Sequence, residues 1–146
     1  MELRKLALVL LIAAACRTVP ESGGAPEPGV RGPRAAVEAF LGAVRAQDLQ
    51  AMSTVWGSER GPARDIISDR TELEKRELVM QCYLNHDRFR ILDETPGDGG
   101  ARVFRVELTR GPLTRATKFT TVRGPADRWY VRDADLEPVK DLCQSR

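Results

Sequence analysis

The feature that most constrains this chain is a change of hydrophobic period near Asn85. Before it, apolar residues recur every three to four positions. After it, they alternate with polar ones. Helical and strand periods that occupy separate halves of a chain predict an α+β fold, with helices packed on one face of a twisted antiparallel sheet and not alternating with its strands.

The first half reads as three helices. Pro33 opens one in which Val37, Phe40, Leu41 and Val44 share a face, because positions i, i+3, i+4 and i+7 superpose at 3.6 residues per turn. Asp48 is placed to cap a second, carrying Leu49, Met52, Val55 and a core Trp56 and ending at Gly57. After a loop through Gly61-Pro62 and Ile66-Ile67, Asp69 with Glu72 forms a capping-box pattern for the third. On that helix Leu73, Val79, Met80, Tyr83 and Leu84 fall in one broad arc, with Leu78 and Cys82 nearly opposite, so it needs cover on two sides. The second half reads as four strands, at 88–93, 102–110, 114–123 and 128–133, separated by turns at 95–100, Gly111-Pro112 and 124–127.

The N-terminus gives an address. Arg4 and Lys5 precede the apolar run 6–12 and the small residues Ala13-Ala14-Ala15, ending at Cys16. That is the pattern of an export signal. The run is far shorter than the roughly 20 residues that span a bilayer, and no other stretch approaches that length. Residues 17–33 hold four prolines and four glycines without apolar periodicity, the composition of a flexible spacer. The expected organisation is a signal over 1–15, Cys16 and a spacer over 16–33, and one domain over 34–146.

Ile12-Ala13-Ala14-Ala15-Cys16 resembles the lipobox of bacterial lipoproteins. The resemblance implies a cut before Cys16 and lipid on its sulfur, so the partner is a membrane reached through the anchor. It departs at Ala13, where the family usually has Leu, and Ala13-x-Ala15 also satisfies ordinary secretory cleavage. A soluble exported or periplasmic protein therefore stays open. Three cysteines favour the anchor, since using Cys16 leaves the pair Cys82 and Cys143. Export to an oxidising compartment predicts a disulfide between those two, with the tail after Pro138 folding back over Leu78 and Cys82. Arg17 stands where lipoproteins retained in the inner membrane carry Asp, which implies the outer membrane, facing the periplasm.

The opening 35–44, AAVEAFLGAV, followed by Gln47-Asp48-Leu49, and the closing Arg128-Trp129-Tyr130-Val131 resemble nuclear transport factor two-like domains. That superfamily includes ketosteroid isomerase-like and SnoaL-like enzymes. The likeness covers most of the folded region and implies three helices and a curved four-stranded sheet forming a cone around a pocket. Cystatin-like folds are the nearest structural alternative.

Chemistry is read mainly by exclusion. His86 is the single histidine, and no nucleophile-elbow sequence marks a serine. Its place at a helix-to-strand junction suits a hydrogen bond to a helix-end carbonyl. Distant cysteines and one histidine do not make a metal site, and neither Gly23-Gly24 nor 97–100 matches a phosphate loop. No cofactor is expected. Asp133 and Asp135 are the remaining candidates for a general base, with a solvated strand end as the simpler role. Arg102, Arg105, Arg110, Arg115, Lys118, Arg123, Arg128 and Arg132 make the sheet basic. That charge suits either an anionic envelope component or neutralisation by the acidic tail Asp133, Asp135, Glu137 and Asp141. The net formal charge of +2 and the few aromatics argue against a nucleic-acid platform. The expected function is thus a membrane-anchored binding or structural module, with a pocket enzyme as the alternative. The sequence specifies neither ligand nor oligomeric state.

Overall fold

The computed structural model describes residues 27–144. The expected signal, Cys16 and most of the expected spacer lie outside them. The elements in order are α1 (Pro33–Ala46), α2 (Leu49–Val55), a two-stranded hairpin of β1 (Gly57–Ser58) and β2 (Gly61–Pro62), α3 (Ala63–Ile66) and α4 (Arg70–Tyr83), then β3 (Arg88–Pro96), β4 (Arg102–Arg110), β5 (Leu113–Arg123) and β6 (Trp129–Ala134). A 3-10 segment, Glu137–Cys143, closes the chain. The fold is α+β, with β3-β4-β5-β6 forming an antiparallel meander.

The expected count of three helices followed by four strands is corrected by this order. The loop expected between the second and third helices holds the hairpin β1–β2 and the one-turn helix α3. The hairpin is possible because Gly57 has no side chain: a Cβ there would run into the Gly61 carbonyl oxygen. Gly57 therefore starts a strand, whereas α2 already ends at Val55. The closing segment is a further helical element that follows the sheet.

The helix caps form as their side chains dictate. The Asp48 carboxylate accepts from Ala51 N at 2.9 Å, and that of Asp69 accepts from Thr71 N and Glu72 N. Glu72 does not complete a capping box; it pairs with Arg76 one turn on, at 2.6 Å.

The core lies between α1 and the inner face of the sheet. Val37, Phe40, Leu41 and Val44 are fully buried, as are Phe104, Val106, Leu108 and Phe119 opposite them. The Phe40 and Phe119 rings meet edge to face at 6.3 Å. Val139 and Leu142 of the closing segment are equally buried and cover the same face. Trp56 is half-buried at the margin of this core and donates from its indole nitrogen to Arg132 O.

Residues 27–32, expected within the spacer, are bound to the domain. Val30 bridges Trp129, Gly29 N donates to Thr54 O at 2.7 Å, and the Arg128 guanidinium donates to the carbonyls of Pro28 and Gly29. Gly29 fits here because its φ is +69° and a Cβ would press on the Tyr130 ring. The strap covers part of the outer edge of β6, so the opposite edge of the sheet, β3, is the longer uncovered one. That edge is broken by a bulge between Ile91 and Asp93 and ends at Pro96, features that discourage pairing with another strand.

Candidate functional site

On α4 the residues that turn inward are Leu73, Glu77 and Met80, followed by Leu84 just past its end. Their spacing of four, three and four is a narrow helical seam, not the broad arc expected from the sequence. Val79, expected inside, is 43% exposed, and Leu78 is 46% exposed. The closing segment reaches Cys82 but leaves Leu78 uncovered, because its own apolar residues, Val139 and Leu142, turn toward the sheet core. A shallow apolar groove of about 560 Å³ runs beside this ridge and includes Tyr83, Cys82 and Cys143.

Glu77 is the residue that sequence reasoning missed. It is only 3% exposed, and its Oε1 has no partner among the described residues. Burial, reinforced by the neighbouring Glu74 carboxylate, pushes its pKa up to about 7. The available signal was its position: a carboxylate four residues after Leu73 and three before Met80 lies on the seam. Glu77 lines a groove of about 250 Å³ between α2 and α4, together with Leu49, Gln50, Ser53, Arg70, Leu73 and Glu74.

His86 is also 3% exposed. Its Nδ1 lies 2.9 Å from Leu84 O at the end of α4, and its ring meets Phe89 edge to face at 5.7 Å. Nε2 has no partner among the described residues. Burial lowers its pKa, opposed by the Leu84 carbonyl, so the neutral ring donates from Nδ1. A helix-end carbonyl is where the sequence puts this ring.

Asp133 and Asp135 share no cavity. Asp133 pairs with Arg132 at 2.9 Å and its side chain is 68% exposed, while Asp135 is exposed and accepts from Glu137 N. The interior that a general base would need is filled by Phe40, Phe104 and Phe119. Cys82 and Cys143 stand at disulfide distance, with Cα atoms 4.7 Å apart.

Each of the seven arginines of the basic sheet has a partner. Arg102 and Arg105 pair with Glu94 and Asp93 of β3, Arg115 with Asp141, and Arg123 with Asp127 while it also stacks 5.3 Å from the Trp129 ring. Arg128 meets Glu27, Arg132 meets Glu59 and Asp133, and Arg110 donates to Leu142 O. Lys118 has no such partner among the described residues. The acidic tail supplies only some of these contacts; β3, the turns, the strap and the Leu142 carbonyl supply the rest.

Among the described residues, no group of three or more His, Cys, Asp or Glu side chains is placed to hold a metal, and no helix is long and apolar enough to cross a membrane. No protein-family model, curated protein or solved structure matches the chain.

Proposed function

We propose that this chain is an exported lipoprotein of a bacterial envelope, anchored through Cys16 and carrying a binding or structural module on a short spacer. The observation that carries the reading is the approach of Cys82 to Cys143. With those two as a disulfide, Cys16 is the one cysteine left over, directly after an apolar run of signal length. The outer membrane, facing the periplasm, is the proposed address, since Arg17 is not the Asp of inner-membrane retention. A cone-like arrangement of the nuclear transport factor two-like kind is the proposed finer description of the fold.

The filled interior supports a module over a pocket enzyme. Bulky side chains occupy the space between α1 and the sheet, and the grooves are on the outside, along α4 and against the β3–β5 end of the sheet. The ion-paired arginines give no support to an anionic component held at the sheet, because an incoming anion would first have to displace carboxylates already in place.

Fractionation tests the anchor. The wild-type protein should partition with membranes and Cys16→Ser should be soluble; a Cys16→Ser protein that stays membrane-bound contradicts the reading. For the module, Asp133→Asn and Asp135→Asn should leave any envelope phenotype intact. A phenotype lost with normal folding and attachment would favour the enzyme.

A further inference from the structure

Burying a carboxylate is unfavourable unless something compensates it, and among the described residues no ion pair is made by Glu77. Its Oε1 is unpartnered although the side chain is almost wholly covered. The groove that Glu77 lines carries two carboxylates, Glu77 and Glu74, and one guanidinium, Arg70. Glu74 lies one turn before Glu77 and makes no ion pair among the described residues, and α2 contributes only the uncharged Leu49, Gln50 and Ser53 on this side. Arg70 is the one cation of the lining; its guanidinium donates to Arg64 O at 3.2 Å, at the foot of α3, and keeps its charge at the rim of the groove. Of the charges on α1, Arg45 acts on His86, not on Glu77. The Ser53 hydroxyl spends its proton on Gln50 O at 2.8 Å and so presents lone pairs, not a donor.

With Glu77 ionised, the groove therefore offers acceptors and one more negative charge than its single cation, Arg70, balances. Its remaining walls are apolar, from Leu49 and Leu73. An alkyl chain that ends in an ammonium matches both parts: methylenes lie along the leucines, as a lysine stem lies along apolar surface, and the ammonium supplies three donors to Glu77, Glu74 and Ser53. A volume of about 250 Å³ holds one such group and little more. We infer that the α2–α4 groove is a binding site for an alkylammonium group, with the buried Glu77 carboxylate as its anchor. This deepens the reading of the domain as a binding module and rests on that reading. The ammonium could be a lysine side chain of a partner protein or a free diamine.

Binding of a cation requires the ionised carboxylate, so the two equilibria are linked. Affinity should fall about tenfold for each pH unit below the Glu77 midpoint and level off above it. The test is a carboxyl-carbon NMR titration of full-length protein with n-butylammonium, and with 1-butanol as the uncharged control. Butylammonium is expected to lower the Glu77 midpoint by about one pH unit, a roughly tenfold preference for the ionised form, and to shift the amides of Gln50, Ser53 and Leu73. Glu77→Gln should weaken binding at least about tenfold. Glu74→Gln, an exposed substitution that does not threaten folding, should weaken it by a smaller factor. Butanol should not bind there. Equal binding of butanol, an unmoved Glu77 midpoint, or undiminished binding by Glu77→Gln would each overturn the inference, and the wild-type comparisons decide it even if Glu77→Gln does not fold. Putrescine and Nα-acetyl-lysine methylamide, titrated side by side, separate the two sources: tighter binding of the diamine indicates a free polyamine, and tighter binding of the capped lysine indicates a protein partner. Mass spectrometry of Cys16 on the same preparation keeps failure of amine binding distinct from failure of the anchor.

Discussion

Glu77 and His86 are both buried with one polar atom unpartnered among the described residues, yet they respond to pH in opposite senses. The pKa of Glu77 rises from an ordinary 4.5 to about 7, so the folded state holds its proton more tightly than the unfolded chain does. Its contribution to stability is fully present below about pH 4.5 and is lost as the pH rises through 7. His86 is lowered from 6.5, so its contribution is present above that value and is lost as the pH falls toward the lower folded value. Glu77→Gln should therefore be nearly neutral at about pH 4 and stabilising by about 1–2 kcal/mol at about pH 8 in denaturant unfolding. That figure is below the ceiling of about 1.4 kcal/mol per pKa unit because the carboxylate borders an open groove. A Glu77→Gln protein equally stable to wild type at both pH values would contradict the burial of the charge. His86→Gln should flatten the acid limb of the same curve, and an unchanged acid limb would mean that the ring is not held neutral.

At the scale of elements, α4 is secured on one seam and by the closing segment beside Cys82. A disulfide across 61 residues is worth about 4 kcal/mol by chain entropy, and measured values often fall short. Cys82→Ser should then cost about 2–4 kcal/mol and speed amide exchange at Val139 and Leu142 far more than in α1. If thiol labelling of the denatured, unreduced protein finds both cysteines reactive, the bond does not form. The turn before β6 carries Ala126 at φ 56°, a left-handed conformation costly for a residue with a Cβ. Ala126→Gly should raise stability by about 0.5–1 kcal/mol, and a loss of stability would show that the turn relaxes in solution. How much of these elements was legible depended on the kind of signal. α1 and the strands could be read because one side of each faces a single core, so burial and period coincide. α4 misled because its seam includes a glutamate and its outer side includes Leu78 and Val79, which inverts the usual relation between hydropathy and burial. The hairpin β1–β2 was invisible for another reason: two-residue strands have no period, and only the contact between Gly57 and Gly61 specifies them.

For the whole molecule, the α+β class and the four-stranded antiparallel sheet were legible from the change of period at Asn85. The end of the spacer was not. Residues 27–32 have a linker's composition but dock because Gly29 lets the backbone lie against Tyr130 while Arg128 gathers two carbonyls, and neither contact is local in sequence. As for the candidate site, cysteine arithmetic singled out Cys82 and Cys143, which stand at disulfide distance, whereas the α2–α4 groove depends on which face of α4 turns inward. The central claim is that this domain works at the end of a lipid anchor. Mass spectrometry of the mature N-terminal peptide from the membrane fraction tests it most directly. The account predicts a chain that begins at Cys16 with acyl chains on that residue, firmly retained because each buried methylene contributes roughly 0.8 kcal/mol. An unmodified Cys16, or a mature chain that begins after it, would contradict the account.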